Sequence, residues 1–226
     1  MRDVPSQLAE LLAAPPVPQR AFVWRRSAWL HAMHDLPNVQ RVLEELPDAV
    51  DRNQVRQVVN TQLENGGVFQ AFVSAMVWGY GDKGYGPIRV RWVLTGVKAG
   101  ARDAPVRQDV ADRLKAAADT VRICGPVEGF RYLNNEGHIK HLGGAFFTKW
   151  LYFVSAVRSA DDPDAAPILD QQVKAWLGTH AATTIDIDRT SDYQSYLAIL
   201  TNWGDQYGRT PVQVEKAIFG LATGRS

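Results

Sequence analysis

Cysteine is almost absent: Cys124 is the only one in 226 residues. No disulfide can close within the chain, and neither a four-cysteine iron–sulfur cluster nor a zinc ribbon can be assembled. A reducing cytoplasm is the expected compartment. A surplus of one charge is missing too. Lys and Arg total 25 against 24 Asp and Glu, a formal net charge of +1. No global basic field draws this chain to nucleic acid, so any such contact must come from local patches. No apolar run reaches the roughly 18 residues of a membrane span. The opening MRDVPSQLAELLAAPPVPQR sets Asp3 ahead of a short apolar segment, so no signal peptide is expected. Hairpin signals are scarce, and there is no solenoid repeat or low-complexity tract.

What the chain does have is apolar residues, 46% of the total, enough for one well-buried core. Their spacing is mostly helical. A helix is expected over 27–46, interrupted near Pro37, and another over 51–64, closed by Asn65-Gly66-Gly67. Further helices are expected over 68–79, 87–97, 105–121, 145–157, 171–177, 191–207 and 211–221, with 126–140 mixed. The fold class read from this is all-α. A proline-containing arm is expected over 1–20, carrying Pro15, Pro16 and Pro18, and a single helical domain over 21–226.

One segment raises a question of chemistry. GGAFFTKWLYF, from Gly143 to Phe153, holds a single cation, Lys149, among apolar and aromatic residues. On a helix its same-face neighbours are Ala145, Phe146, Tyr152 and Phe153. Such surroundings desolvate an ammonium and favour the neutral amine, the form a Schiff-base nucleophile needs. They suit equally a core lysine whose head snorkels to water. Upstream, the polar run 134–141 leads into Leu142-Gly143-Gly144, glycines that let backbone N–H groups approach a phosphate at a helix start. Downstream, a polar loop over 158–167 leads into Ile168-Leu169-Asp170. Asp170 also has the residue type of an N-cap.

Helix, glycine hairpin near 142–149, helix with a lysine in its first turns, loop, then ILD opening the next helix: this order resembles the helix-hairpin-helix DNA glycosylases, most of all their 8-oxoguanine DNA glycosylase-like branch. The resemblance spans about 60–222 and is most specific over 142–173. It implies that Lys149 is the nucleophile and Asp170 its partner. The family hairpin usually reads L-P-G-V-G-x-K. Here it reads Leu142-Gly143-Gly144-Ala145-Phe146-Phe147-Thr148-Lys149, with the second glycine replaced and one extra residue before the lysine. The implied activity is excision of a damaged or modified base, with associated AP lyase activity. The implied partner is double-stranded DNA carrying such a base; a monomer with no cofactor, no metal and no membrane contact is expected.

Such an enzyme takes its base out of the stack, so it needs a wedge and a pocket as well as a nucleophile. The loop Trp78-Gly79-Tyr80-Gly81-Asp82-Lys83-Gly84-Tyr85 joins two apolar helices, and Tyr80 and Tyr85 are the candidates to insert or stack. Arg89 and Arg91 follow as phosphate contacts. Phe146, Trp150, Trp203 and Tyr207 are candidates for the base pocket, Trp203 foremost. His138, Lys140 and His141 flank the hairpin, and Gly143 and Gly144 form it. His31 and His34 lack a third ligand for a metal. A helix-hairpin-helix protein that binds DNA without chemistry, a Schiff-base enzyme for small carbonyl compounds and a helical interaction protein stay open as alternatives.

Overall fold

The computed structural model describes residues 3–17 and 19–224. Pro18 and the outermost residues of the two expected regions lie outside the described residues. The fold is all-α. Its helices are α1 Ser6–Ala13, α2 Arg26–Ala32, α3 Pro37–Glu45, α4 Arg52–Glu64, α5 Val68–Tyr80, α6 Gly86–Thr95, α7 Gln108–Cys124, α8 Pro126–Asn134, α9 Gly144–Ser155, α10 Gln171–His180, α11 Thr190–Asp205 and α12 Pro211–Thr223. Two short strands, β1 Phe22–Val23 and β2 Ala49–Val50, pair antiparallel with Phe22 opposite Val50.

The helix boundaries have local causes. Pro37 opens α3, so the expected 27–46 helix is two helices. Asp51 and Gln54 form a capping box that starts α4, and Thr210 and Gln213 form another ahead of Pro211. Gly96, left-handed at φ 75°, ends α6. α7 starts later than expected, because Arg107 N–H turns back to the Leu94 carbonyl at 2.9 Å. The mixed stretch after Pro126 resolves into α8, which buries Phe130 and Leu133.

α5 and α9 form the centre. Every residue of α5 from Ala71 to Trp78 is buried, and α9 is buried from Phe147 to Ser155. α9 packs against α4, α5, α7 and α8, which accounts for its apolar character on every side. The stretch expected to be an arm contributes helix α1, packed on α12. Leu8 and Leu12, four apart on one face, are buried there, worth about 1.5–3 kcal/mol each. Arg209 donates to the carbonyls of Leu12 and Ala14 and fastens the helix's end.

One buried ion pair ties α4 to α12, 163 positions apart. Arg52, opening α4, donates through Nη1 and Nη2 to the Glu215 carboxylate of α12 at 2.7 and 2.9 Å. The guanidinium also lies 4.9 Å from the Trp78 and Tyr152 ring centroids. Burial alone opposes its charge, but Glu215 outweighs that and raises the Arg52 pKa further.

Candidate active site

The turn between α8 and α9 presents the lysine. Its left-handed residue is His141, at φ 71°, not a glycine. Gly143 is the N-cap of α9, exposed, with open space around its α-carbon. Gly144 is buried, and a Cβ there would sit 2.3 Å from the Ile187 carbonyl oxygen. Of the glycine pair, then, Gly143 faces outward, while Gly144 admits the backbone of the 183–189 segment.

Lys149 sits in the second turn of α9 and is 6% exposed. Its Nζ lies 3.0 Å from Asp170 Oδ2 and 3.1 Å from the Ala145 carbonyl oxygen. The amine therefore has a carboxylate and a carbonyl beside it, and the wholly apolar surroundings expected from the helix face are only part of its environment. Asp170 divides its oxygens. Oδ1 accepts from the N–H groups of Gln172 and Val173 at 3.0 and 3.2 Å and caps α10, while Oδ2 takes the lysine. Burial pushes the Asp170 carboxyl up, but the Lys149 charge and these hydrogen bonds outweigh it and hold the group below its ordinary value. The next contact of α9 with this segment is Thr148, whose Oγ1 accepts from Leu169 N–H at 3.2 Å and fixes the ILD turn against the helix.

An aromatic series runs outward from the amine. Lys149 Nζ lies 5.3 Å from the Phe146 ring centroid. Phe146 stacks on Tyr80 at 4.2 Å and 20°. Tyr80 meets Tyr85 edge-on at 6.0 Å, and Arg89 lies 5.4 Å from the Tyr85 ring. Tyr80, Tyr85 and Arg89 thus join the lysine's neighbourhood through Phe146. Only Tyr85, 52% exposed, stands out from the surface as a wedge would; Tyr80 is buried. Burial, opposed by Arg89, pushes the Tyr80 hydroxyl up to about 12.

Several expected contacts are corrected. Trp203 is 1% exposed in α11, a core residue rather than the wall of an open pocket. Trp150 is fully buried and donates to the Leu114 carbonyl at 3.2 Å. Arg91 is fully buried, paired with both carboxylate oxygens of Asp35 and donating to the carbonyls of Ala101, Arg102 and Ala104; it is structural and unavailable to a phosphate. Tyr207 is half-buried against the core.

Around the hairpin, His138 and Lys140 are exposed, and the His138 carbonyl accepts from Arg113. A small cleft beside them is lined by Arg107, Arg113, His138 and Lys140, with Asp109 also present. Burial, with the charges of Lys140 and Lys98, lowers the His141 pKa, so this imidazole carries little charge at neutral pH. Trp92 was missed by the sequence reading. It meets His141 edge-on at 6.2 Å and lies under Arg89 and Lys98. Its spacing, three after Arg89, places the two on one face of α6, with the N-cap residue Tyr85 one turn before Arg89, and was the available signal. Among the described residues no group of three or more His, Cys, Asp or Glu is placed to hold a metal ion, and no helix is long and apolar enough to cross a membrane.

The model of the family described as "Putative 8-oxoguanine DNA glycosylase OGG-like protein" matches residues 15–219. No curated protein and no solved structure matches the chain.

Proposed function

The chain belongs to this OGG-like family of DNA glycosylase-like proteins, and from that premise we propose that it excises a damaged base, 8-oxoguanine, from double-stranded DNA and then acts as an AP lyase. The observation that carries the reading is the Lys149–Asp170 contact at 3.0 Å, with both side chains largely buried. The cap on α10 holds the carboxylate in one place, which is what a proton acceptor for a nucleophile requires. In this reading the protein is a cytoplasmic monomer. Tyr85 enters the gap left by the flipped base, while Arg89 and the exposed Gly143 N–H meet phosphates.

The chemistry follows from the pair. Asp170 takes a proton from the lysine ammonium. The freed lone pair forms the Nζ–C1′ bond as the glycosidic bond breaks, and the base leaves with the bonding electrons and takes up the proton that Asp170 had accepted. Asp170, negative again once the base has taken that proton, lies beside the cationic secondary amine and stabilises its charge. Opening of the ring passes one of the two amine protons to O4′ and leaves a protonated imine. Loss of a C2′ proton then expels the 3′ phosphate, and water releases the lysine.

The test is borohydride trapping on duplexes carrying 8-oxoguanine or an abasic site. A covalent adduct is expected with the wild type and none with Lys149→Gln. Absence of an adduct on the abasic duplex, with folded protein, would assign the pair to structure and favour the non-catalytic DNA-binding alternative.

A further inference from the structure

Lys149 is nearly inaccessible in the free protein, yet an attacking amine must come within about 3–3.5 Å of its carbon. What covers it is specific. On one side lies Gly79, where a Cβ would stand 3.0 Å from Lys149 Cδ and 3.8 Å from Phe146 Cδ1. Asp170 and the Ala145 carbonyl hold the head group. The Phe146 ring centroid lies 5.3 Å from Nζ.

Phe146 is itself half-buried, as are Ala145 and Asp170, whereas Lys149 and Tyr80 are both buried. Its stacking partner is fixed. Tyr80 is backed by the fully buried Trp29 at 6.4 Å, and Gly86 lies so close that a Cβ there would be 2.7 Å from Tyr80 Cβ. Tyr80 is thus packed from behind, while Phe146 keeps a partly exposed side. Its release breaks one aromatic stack and one cation–π contact, a modest barrier that binding energy can meet.

We propose that Phe146 is a cover over Lys149, latched by its stack on Tyr80, and that the target nucleotide reaches the amine by displacing it. The displacement rests on the glycosylase reading; the cover does not. Phe146 is thus a positioning residue that governs access.

The test needs no DNA. Free protein is treated with formaldehyde and cyanoborohydride, and methylation of each lysine is followed by peptide mass spectrometry. Lys149 is expected to react at least about tenfold more slowly than exposed Lys140, as a locally closed site does. Phe146→Ala and the milder Phe146→Leu should each accelerate Lys149 about tenfold, while Phe146→Tyr, which keeps the stack, should not. Lys216, paired with Asp161 at 2.7 Å, should keep its rate in every variant and so report an intact fold. The acceleration should be equal at pH 7 and pH 9, because a cover acts on access and not on the amine's proton. The proposal is overturned if wild-type Lys149 reacts as fast as Lys140, if Phe146→Leu stays slow, or if the acceleration vanishes at pH 9. Expected methylation without trapping on an abasic duplex would keep the cover and remove the displacement along with the glycosylase reading.

Discussion

Substitution at Asp170 separates two tasks of one carboxylate. Asparagine keeps an oxygen for the α10 cap, while alanine keeps nothing. Loss of an aspartate cap costs about 1 kcal/mol. Stranding a largely buried charge costs more, about 3–5 kcal/mol, and with the side chains 8% and 14% exposed the lower end applies. Asp170→Asn is therefore expected to destabilise by about 3 kcal/mol and Asp170→Ala by about 4. Adding Lys149→Met to Asp170→Asn removes the stranded ammonium and should recover about 2 kcal/mol. Urea unfolding of these proteins, with Lys149→Met alone completing the cycle, measures this directly. The pH dependence has a defined sign. The folded Asp170 pKa lies below the ordinary 3.8, so its stabilisation is complete above that value and fades as pH falls through the lower, folded one. The gap between wild type and Asp170→Asn should be full at pH 6 and shrink below pH 3.8. Costs at Lys149 and Asp170 that add within about 0.5 kcal/mol would refute the coupling, as would a gap that does not change with acid.

Gly144→Ala must move the Ile187 carbonyl and should cost about 1–3 kcal/mol, read as a lowered Tm. Arg91→Met leaves three carbonyls unanswered and should cost about 3 kcal/mol or more, against about 0.5 kcal/mol or less for exposed Arg89→Met; equal melting shifts would contradict the burial contrast. Tyr85→Ala should leave stability nearly unchanged but weaken binding to a lesion duplex by about 1–3 kcal/mol, measured by fluorescence anisotropy; an unaltered Kd would remove Tyr85 from the DNA surface.

Helix content and the ion pair were legible for the same reason: their signals are local. Asp51, Thr210 and Pro37 announce helix starts by their own chemistry, and Lys149 stands out because everything around it is apolar. Asp170 was reachable from its residue type as an N-cap, and its pairing with Lys149 from the family resemblance over 142–173. Exposure was much less legible. Arg89 and Arg91 read alike, yet two positions on a helix point about 200° apart. Only the distant Asp35 and the 101–104 carbonyls show which one is buried. Trp203 and Trp92 exchanged significance in the same way, because whether a tryptophan faces the core depends on helices far along the chain. α1 was hidden by the prolines on either side of it, Pro5 and Pro15-Pro16, although Leu8 and Leu12 carried the four-residue spacing.

The Arg52–Glu215 pair also orders events in time. Its partners are 163 positions apart, and a ribosome adding about 5–20 residues each second needs roughly 8–33 s to go from one to the other. Throughout that interval the guanidinium has no carboxylate to enter the core with, so the α4 end cannot settle into its final place. The Arg52 end of α4 can take its paired, buried place only once α12 has been made.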